Sequence, residues 1–112
     1  MGQFVDLAAA QVFAAVVEQQ SFRGAAAALG LPKSTVSRKV AELEDRLGAR
    51  LLERTTRSLR LTDLGSAYLL QAAPAVAMLL DAERVVEQLK VEPQGVLRLS
   101  MPVNFGQMFL GG

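Results

Sequence analysis

Residues 21–40 read SFRGAAAALGLPKSTVSRKV. The stretch divides into two short helices about a tight turn. Phe22 to Leu29 is dominated by alanine, with no bulky side chain between Arg23 and Leu29, and Gly30 breaks it. The second half starts near Lys33 and sets Ser34, Thr35, Ser37, Arg38 and Lys39 around Val36 and Val40. A helix-turn-helix needs a small residue where its second helix crosses the first, and Ala26 supplies it. It needs a residue that tolerates positive φ in the turn, and Gly30 supplies it. It needs apolar anchors on the inner side of the second helix, here Leu31, Val36 and Val40. The outer side is left with short hydroxyls and cations, the chemistry that reaches base edges and phosphates in a major groove. An ordinary alanine-rich helical hairpin would use the same residue types, though less commonly at this set of offsets.

Upstream, Phe4, Leu7, Ala8, Val12, Phe13, Val16 and Val17 recur at spacings of three and four, predicting an amphipathic helix over residues 4–19. Ser21 is a good N-cap for the next helix, and Pro32 can open the third. Val36, Val40, Leu43 and Leu47 give that third helix its inner side, and Gly48 suits a left-handed C-terminal cap. Residues 50–53 and 58–61 then read as two short strands joined by a polar turn, Arg54 to Arg57. A hairpin after a recognition helix makes a winged helix. Thr62 is an N-cap for a long helix that Asp63 favours in its first turn. Along it Tyr68, Ala72, Ala75, Leu79, Ala82, Val86 and Leu89 form a heptad stripe, which argues for a partner helix. Pro74 should bend its axis. Glu92 to Gly95 is a breaker, residues 96–102 read as one strand, and residues 93–112 read as the first piece of a second domain. The expected fold is mainly α: a winged helix-turn-helix of three helices plus a β-hairpin, followed by a long dimerisation linker helix. The boundaries fall at 1–62, 63–91 and 92–112.

The chain has 112 residues, 51% of them hydrophobic and 5% aromatic, so its core is built from Ala, Leu and Val. It has no cysteine and no histidine, which removes disulfides, thiolate metal sites and the commonest general base. No phosphate loop is present either, so no catalytic residue, metal or cofactor is expected. The net charge of +1 is unevenly placed. Residues 21–62 carry nine cations against four acids, a net +5, and the remainder carries three against seven, a net −4. A basic segment inside a near-neutral chain is the footprint of a phosphate-binding module. No basic segment, apolar run and cleavage site open the chain. The richest apolar run, Ala72 to Leu80, is too short to span a bilayer. The expectation is a soluble cytoplasmic protein without membrane contact.

The run SFRGAAAALGLPKSTVSRKVAELEDRLGARLLERTTRSLRLTDLG, Ser21 to Gly65, closely resembles the DNA-binding domain of LysR-type transcriptional regulators. Its S-F-x-x-A-A start, V-S-R-x-V-x-x-L-E recognition helix, L-G-x-x-L-L-E-R-T wing strand and R-L-T-x-x-G return carry the likeness. The ending G-V-L-R-L-S-M-P looks like the first strand of the family's effector-binding domain. The resemblance implies a linker helix that pairs antiparallel with its partner in a homodimer. It also implies binding to interrupted palindromes in double-stranded DNA near promoters. Higher assembly and a small-molecule inducer belong to the effector domain of a full-length parent. Many members carry Gln-Pro where this chain has Lys33-Ser34, so base preference there is not carried over.

Within that frame Lys33, Ser34 and Thr35 are the candidates for direct base readout, with Ser37 and Arg38 one turn on. Arg38 could instead pair with Glu42 at i+4. Ser21 and Arg23 at the start of the second helix form a candidate phosphate clamp, although capping alone would explain Ser21. Arg54 and Arg57 flank the wing turn and are assigned to phosphate or the minor groove. The competing function is an interaction protein: a short form that dimerises and occupies sites, or poisons full-length partners, without sensing an inducer.

Overall fold

The computed structural model describes residues 4–55 and 57–91. Its elements are α1 (Leu7–Gln19), α2 (Phe22–Leu29), α3 (Lys33–Leu47), β1 (Leu52–Arg54), β2 (Leu59–Leu61) and α4 (Asp63–Val91). This is the expected order of three helices, hairpin and long helix. The Asp6 carboxylate caps α1 by accepting the Ala9 N–H at 3.1 Å, and the Ser21 hydroxyl caps α2 by accepting the Gly24 N–H at 2.8 Å. The first three helices all end on a left-handed residue: Gln20, Gly30 and Gly48. The two glycines adopt that conformation freely, whereas Gln20 holds it against a Cβ. Pro32 stands one place earlier than expected. It is the extended N-cap of α3, without a side-chain bond, and its carbonyl accepts the N–H groups of Thr35 and Val36.

The core draws Val12, Phe13 and Val16 from α1, Ala25 and Ala26 from α2, Val36, Val40 and Leu43 from α3, and Leu51 and Leu52 from the start of the wing. Each larger aliphatic or aromatic side chain buried there contributes roughly 1.5–3 kcal/mol. Two expected anchors lie outside it. Leu31 is 36% exposed because it sits in the turn, off the periodicity of a helix that starts only at Lys33. Leu47 is 44% exposed because it is the last residue of α3, and Leu51 and Leu52 fill the core beyond the Gly48 reversal. At the other end, Phe4 precedes α1 and is 88% exposed, and Leu7 is exposed too, so the buried stripe begins at Ala9.

The wing is an antiparallel pair with register Leu52↔Leu61, Glu53↔Arg60 and Arg54↔Leu59. Both strands are shorter than expected. The backbone before β1 is otherwise engaged: the Arg50 carbonyl accepts the Thr62 hydroxyl at 2.6 Å, and the Leu51 carbonyl accepts the Thr62 N–H at 3.0 Å. Arg54 consequently ends a strand instead of opening the turn.

Thr62 also caps α4, its hydroxyl oxygen accepting the Gly65 N–H at 2.9 Å. Gly65 is required by close approach: a Cβ there would lie 2.1 Å from the Leu51 carbonyl oxygen. One turn on, Tyr68 and Leu69 pack against the core. The first member of the heptad stripe, Tyr68, is therefore covered within its own chain, where it lies against Phe13. The compact winged unit takes in these turns and extends to Ala77. The described part of the second unit, from Met78 to Val91, is helical, with Leu79 and Val86 exposed and ion pairs Arg84–Asp81 and Lys90–Glu87. By length and composition alone α4 could cross a membrane. Its early turns are spent on the core, and its last turns carry Asp81, Glu83, Arg84, Glu87 and Lys90. The strand expected at residues 96–102 and the rest of 92–112 lie outside the described residues.

Candidate nucleic-acid interface

The orientation of α3 follows from its sequence. Val36, Val40 and Leu43 are buried, which turns Lys33, Ser34 and Arg38 to solvent and leaves Thr35 and Ser37 half-buried at the margin. The first turn of the helix therefore presents one long cation and short hydroxyls. No side chain caps it. Arg38 does approach Glu42, at 3.6 Å. Both side chains are more than half exposed, so the pair is worth about 0–1 kcal/mol and leaves the guanidinium free to exchange it for a phosphate.

Ser21 and Arg23 begin α2. The Ser21 hydroxyl is already engaged as the cap, and Arg23 is exposed. Phe22, between them, is 8% exposed, and the Arg54 guanidinium stacks over its ring at 4.5 Å from the centroid. Such a contact is worth about 0.5–1 kcal/mol at an exposed site. The start of α2 and the end of β1 are thus brought together, and the Arg54 assigned to DNA from sequence also holds the wing to the body. Arg57 is exposed beyond it. Its N–H donates to the Thr55 hydroxyl at 3.1 Å, and the Ser58 N–H donates to the same oxygen at 3.0 Å, so the Thr55 side chain organises the turn.

A second tie runs from α3 to the N-cap of α1. Lys39 Nζ lies 3.3 Å from Asp6 Oδ2. The Ala9 N–H, foremost, and the Lys39 ammonium hold the Asp6 carboxyl below its usual range, against a partial desolvation that raises it. Tyr68 is shifted the other way, upward, by its burial.

Sequence reasoning did not find Glu44. Its carboxylate accepts the N–H groups of Leu51 at 2.7 Å and Leu52 at 3.1 Å. The only local signal is a carboxylate a short way before a strand, on the far side of a glycine cap. The Arg54–Phe22 and Lys39–Asp6 contacts join residues more than thirty positions apart and have no local signal at all.

Of the dimerisation candidates, Leu79 and Val86 are exposed apolar side chains, Ala75 and Ala82 are exposed, and Ala72 and Leu89 are half-buried.

The family of bacterial regulatory helix-turn-helix proteins of the LysR type matches residues 7–66. An HTH-type transcriptional regulator of Xanthomonas campestris pv. campestris is 52% identical over 101 residues, covering 90% of this chain and 29% of its own length. An HTH-type transcriptional repressor of Pseudomonas aeruginosa is 44% identical, covering 90% of this chain and 32% of its own. The chain therefore spans about a third of the length of these curated relatives. The crystal structure of the BenM DNA-binding domain with catB site 1 DNA superposes with a TM-score of 0.67 at 30% identity, over 77% of this chain and 96% of that one. The full-length Vibrio cholerae virulence activator AphB gives 0.69 at 29% identity, over 73% of this chain and 28% of that one. The family match takes in α1, the helix-turn-helix, the wing and the first turn of α4, which is more than half of the sequence, and on it the chain belongs to the LysR family of bacterial regulatory helix-turn-helix proteins.

Proposed function

We propose that this chain is the DNA-binding and dimerisation part of a sequence-specific transcriptional regulator acting on double-stranded DNA in the cytoplasm. The observation that carries the reading is the first turn of α3, where Lys33 and Ser34 face solvent above the buried Val36, Val40 and Leu43. Lys33, Ser34 and Thr35 read base edges, Ser37 and Arg38 support them, Arg23 and Arg57 address phosphates, and the +5 charge of residues 21–62 supplies the sequence-independent attraction. Two copies pair through Ala72, Ala75, Leu79, Ala82, Val86 and Leu89, so that two recognition helices meet the halves of an interrupted palindrome. Response to an inducer belongs to a full-length parent.

Selection of binding sites from random duplexes tests this. Wild type should return a two-fold symmetric sequence. Lys33→Ala should return a relaxed preference at one base per half-site, with a cost of roughly 1–3 kcal/mol there. If the variant selects the parental sequence and is merely weaker on all DNA, Lys33 is not a base reader.

A further inference from the structure

We propose that Glu44 is a positioning residue for DNA binding: it hangs the wing from the recognition helix and so sets where Arg57 meets the phosphate backbone. The inference rests on the assignment of Arg57 to DNA made above.

Glu44 lies in the last turn of α3, half-buried, and backbone donors of the departing chain converge on it. Its carbonyl accepts the Ala49 N–H at 3.1 Å. Its Oε2 accepts the N–H groups of both Leu51, at 2.7 Å, and Leu52, at 3.1 Å. The side chains of Leu51 and Leu52 are 1% and 3% exposed, so the two amides enter the protein with their side chains. Bonds to an ionised acceptor are among the stronger ones available to a backbone amide. β1 begins at Leu52 and ends at Arg54, and the turn bearing Arg57 follows. The strand that carries the wing is therefore fixed at its root by a side chain of the helix that reads the bases. An acid does not bind phosphate, and removing its charge would by itself strengthen DNA binding, so a loss of binding on removing Glu44 passes through geometry.

The test is a double-mutant cycle on the whole 112-residue chain, read as the slope of log affinity against log salt on one duplex, with thermal unfolding recorded in parallel. Arg57→Ala should lower the slope by about 1 per half-site. Glu44→Ala should lower it by the same amount while Arg57 is present and by nothing once Arg57 is alanine. Its effect on affinity should likewise shrink to within about twofold in the Arg57→Ala background. Glu44→Gln keeps an oxygen able to accept both amides and should retain the parental slope. Glu44→Asp keeps the charge on a shorter stem, should behave like alanine, and serves where Glu44→Ala does not fold. A residue that only stabilises the fold would lower the melting temperature in both backgrounds and leave the slope alone. Equal losses from Glu44→Ala with and without Arg57, or parental slopes for both the Ala and Asp variants, overturn the inference and leave the DNA reading standing. No loss from Arg57→Ala overturns the wing assignment and this inference with it.

Discussion

The rings of Phe13 and Tyr68 meet edge to face, with centroids 5.6 Å apart and planes inclined at 68°. Phe13 is fully buried at the centre of α1, and Tyr68 comes from α4, so the contact ties the first helix of the winged unit to the last. The pair is worth about 0.5–1.5 kcal/mol beyond its buried area. Tyr68→Leu should lower the unfolding free energy by about that amount in urea titrations and leave the sedimentation of the chain unchanged. A shift toward monomer without loss of stability would return Tyr68 to the dimer stripe.

Gly65 faces the Leu51 carbonyl oxygen at a distance that excludes a side chain. Gly65→Ala should force the wing root and α4 apart and cost about 1–3 kcal/mol or more, as overpacking of a filled site does. Thermal unfolding measures it. An unchanged melting temperature would mean that the approach relaxes freely.

Asp6 offers a pH signature. Its carboxyl is held below the usual 3.8, chiefly by the Ala9 N–H and then by Lys39, so the unfolded chain binds the proton more readily than the folded one. The stability this contributes is fully present above 3.8 and is lost as the pH falls through the folded value. The difference in unfolding free energy between wild type and Asp6→Asn should therefore hold constant from neutral pH down to the ordinary carboxylate range, then close in stronger acid. A gap that widens toward acid contradicts the assignment.

Leu79 is exposed within the second unit and lies on the heptad stripe. Leu79→Asp should place two charges near the two-fold axis of the proposed dimer and dissociate it at micromolar protein. DNA affinity should fall as well, because each half-site loses the effective concentration supplied by its linked partner. Sedimentation of the 112-residue chain before and after the change checks both halves. A wild-type monomer whose DNA binding ignores the substitution removes the linker helix from the interface.

Most of the scaffold was legible in the residues because its cues are local. Ser21 and Thr62 cap helices, Gly30 and Gly48 end them, and the spacing of Val36, Val40 and Leu43 orients α3. Leu31 and Leu47 misled because apolarity was extended past the helical turns that reach the core. The candidate site was legible as a set of cations and hydroxyls, but not as a set of bonds. Arg54 reads as a free wing cation until Phe22 is seen beneath it, and Glu44 reads as one acid of an Ala-Glu-Leu-Glu-Asp run until the chain folds back to present two amides. Tyr68 fits a heptad by spacing, and only tertiary structure decides which partner an apolar position serves.

The Phe13–Tyr68 contact also bears on synthesis. A chain leaves the ribosome from its N-terminus at about 5–20 residues per second, so α1, α2 and α3 emerge with the outward edge of the central phenylalanine still uncovered. The hairpin comes next, and only then the turns of α4 that bring Gly65, Tyr68 and Leu69 onto the core. The winged unit is thus completed last, by the opening turns of α4, and a transcript cut at Thr62 would yield α3 on an unfinished body.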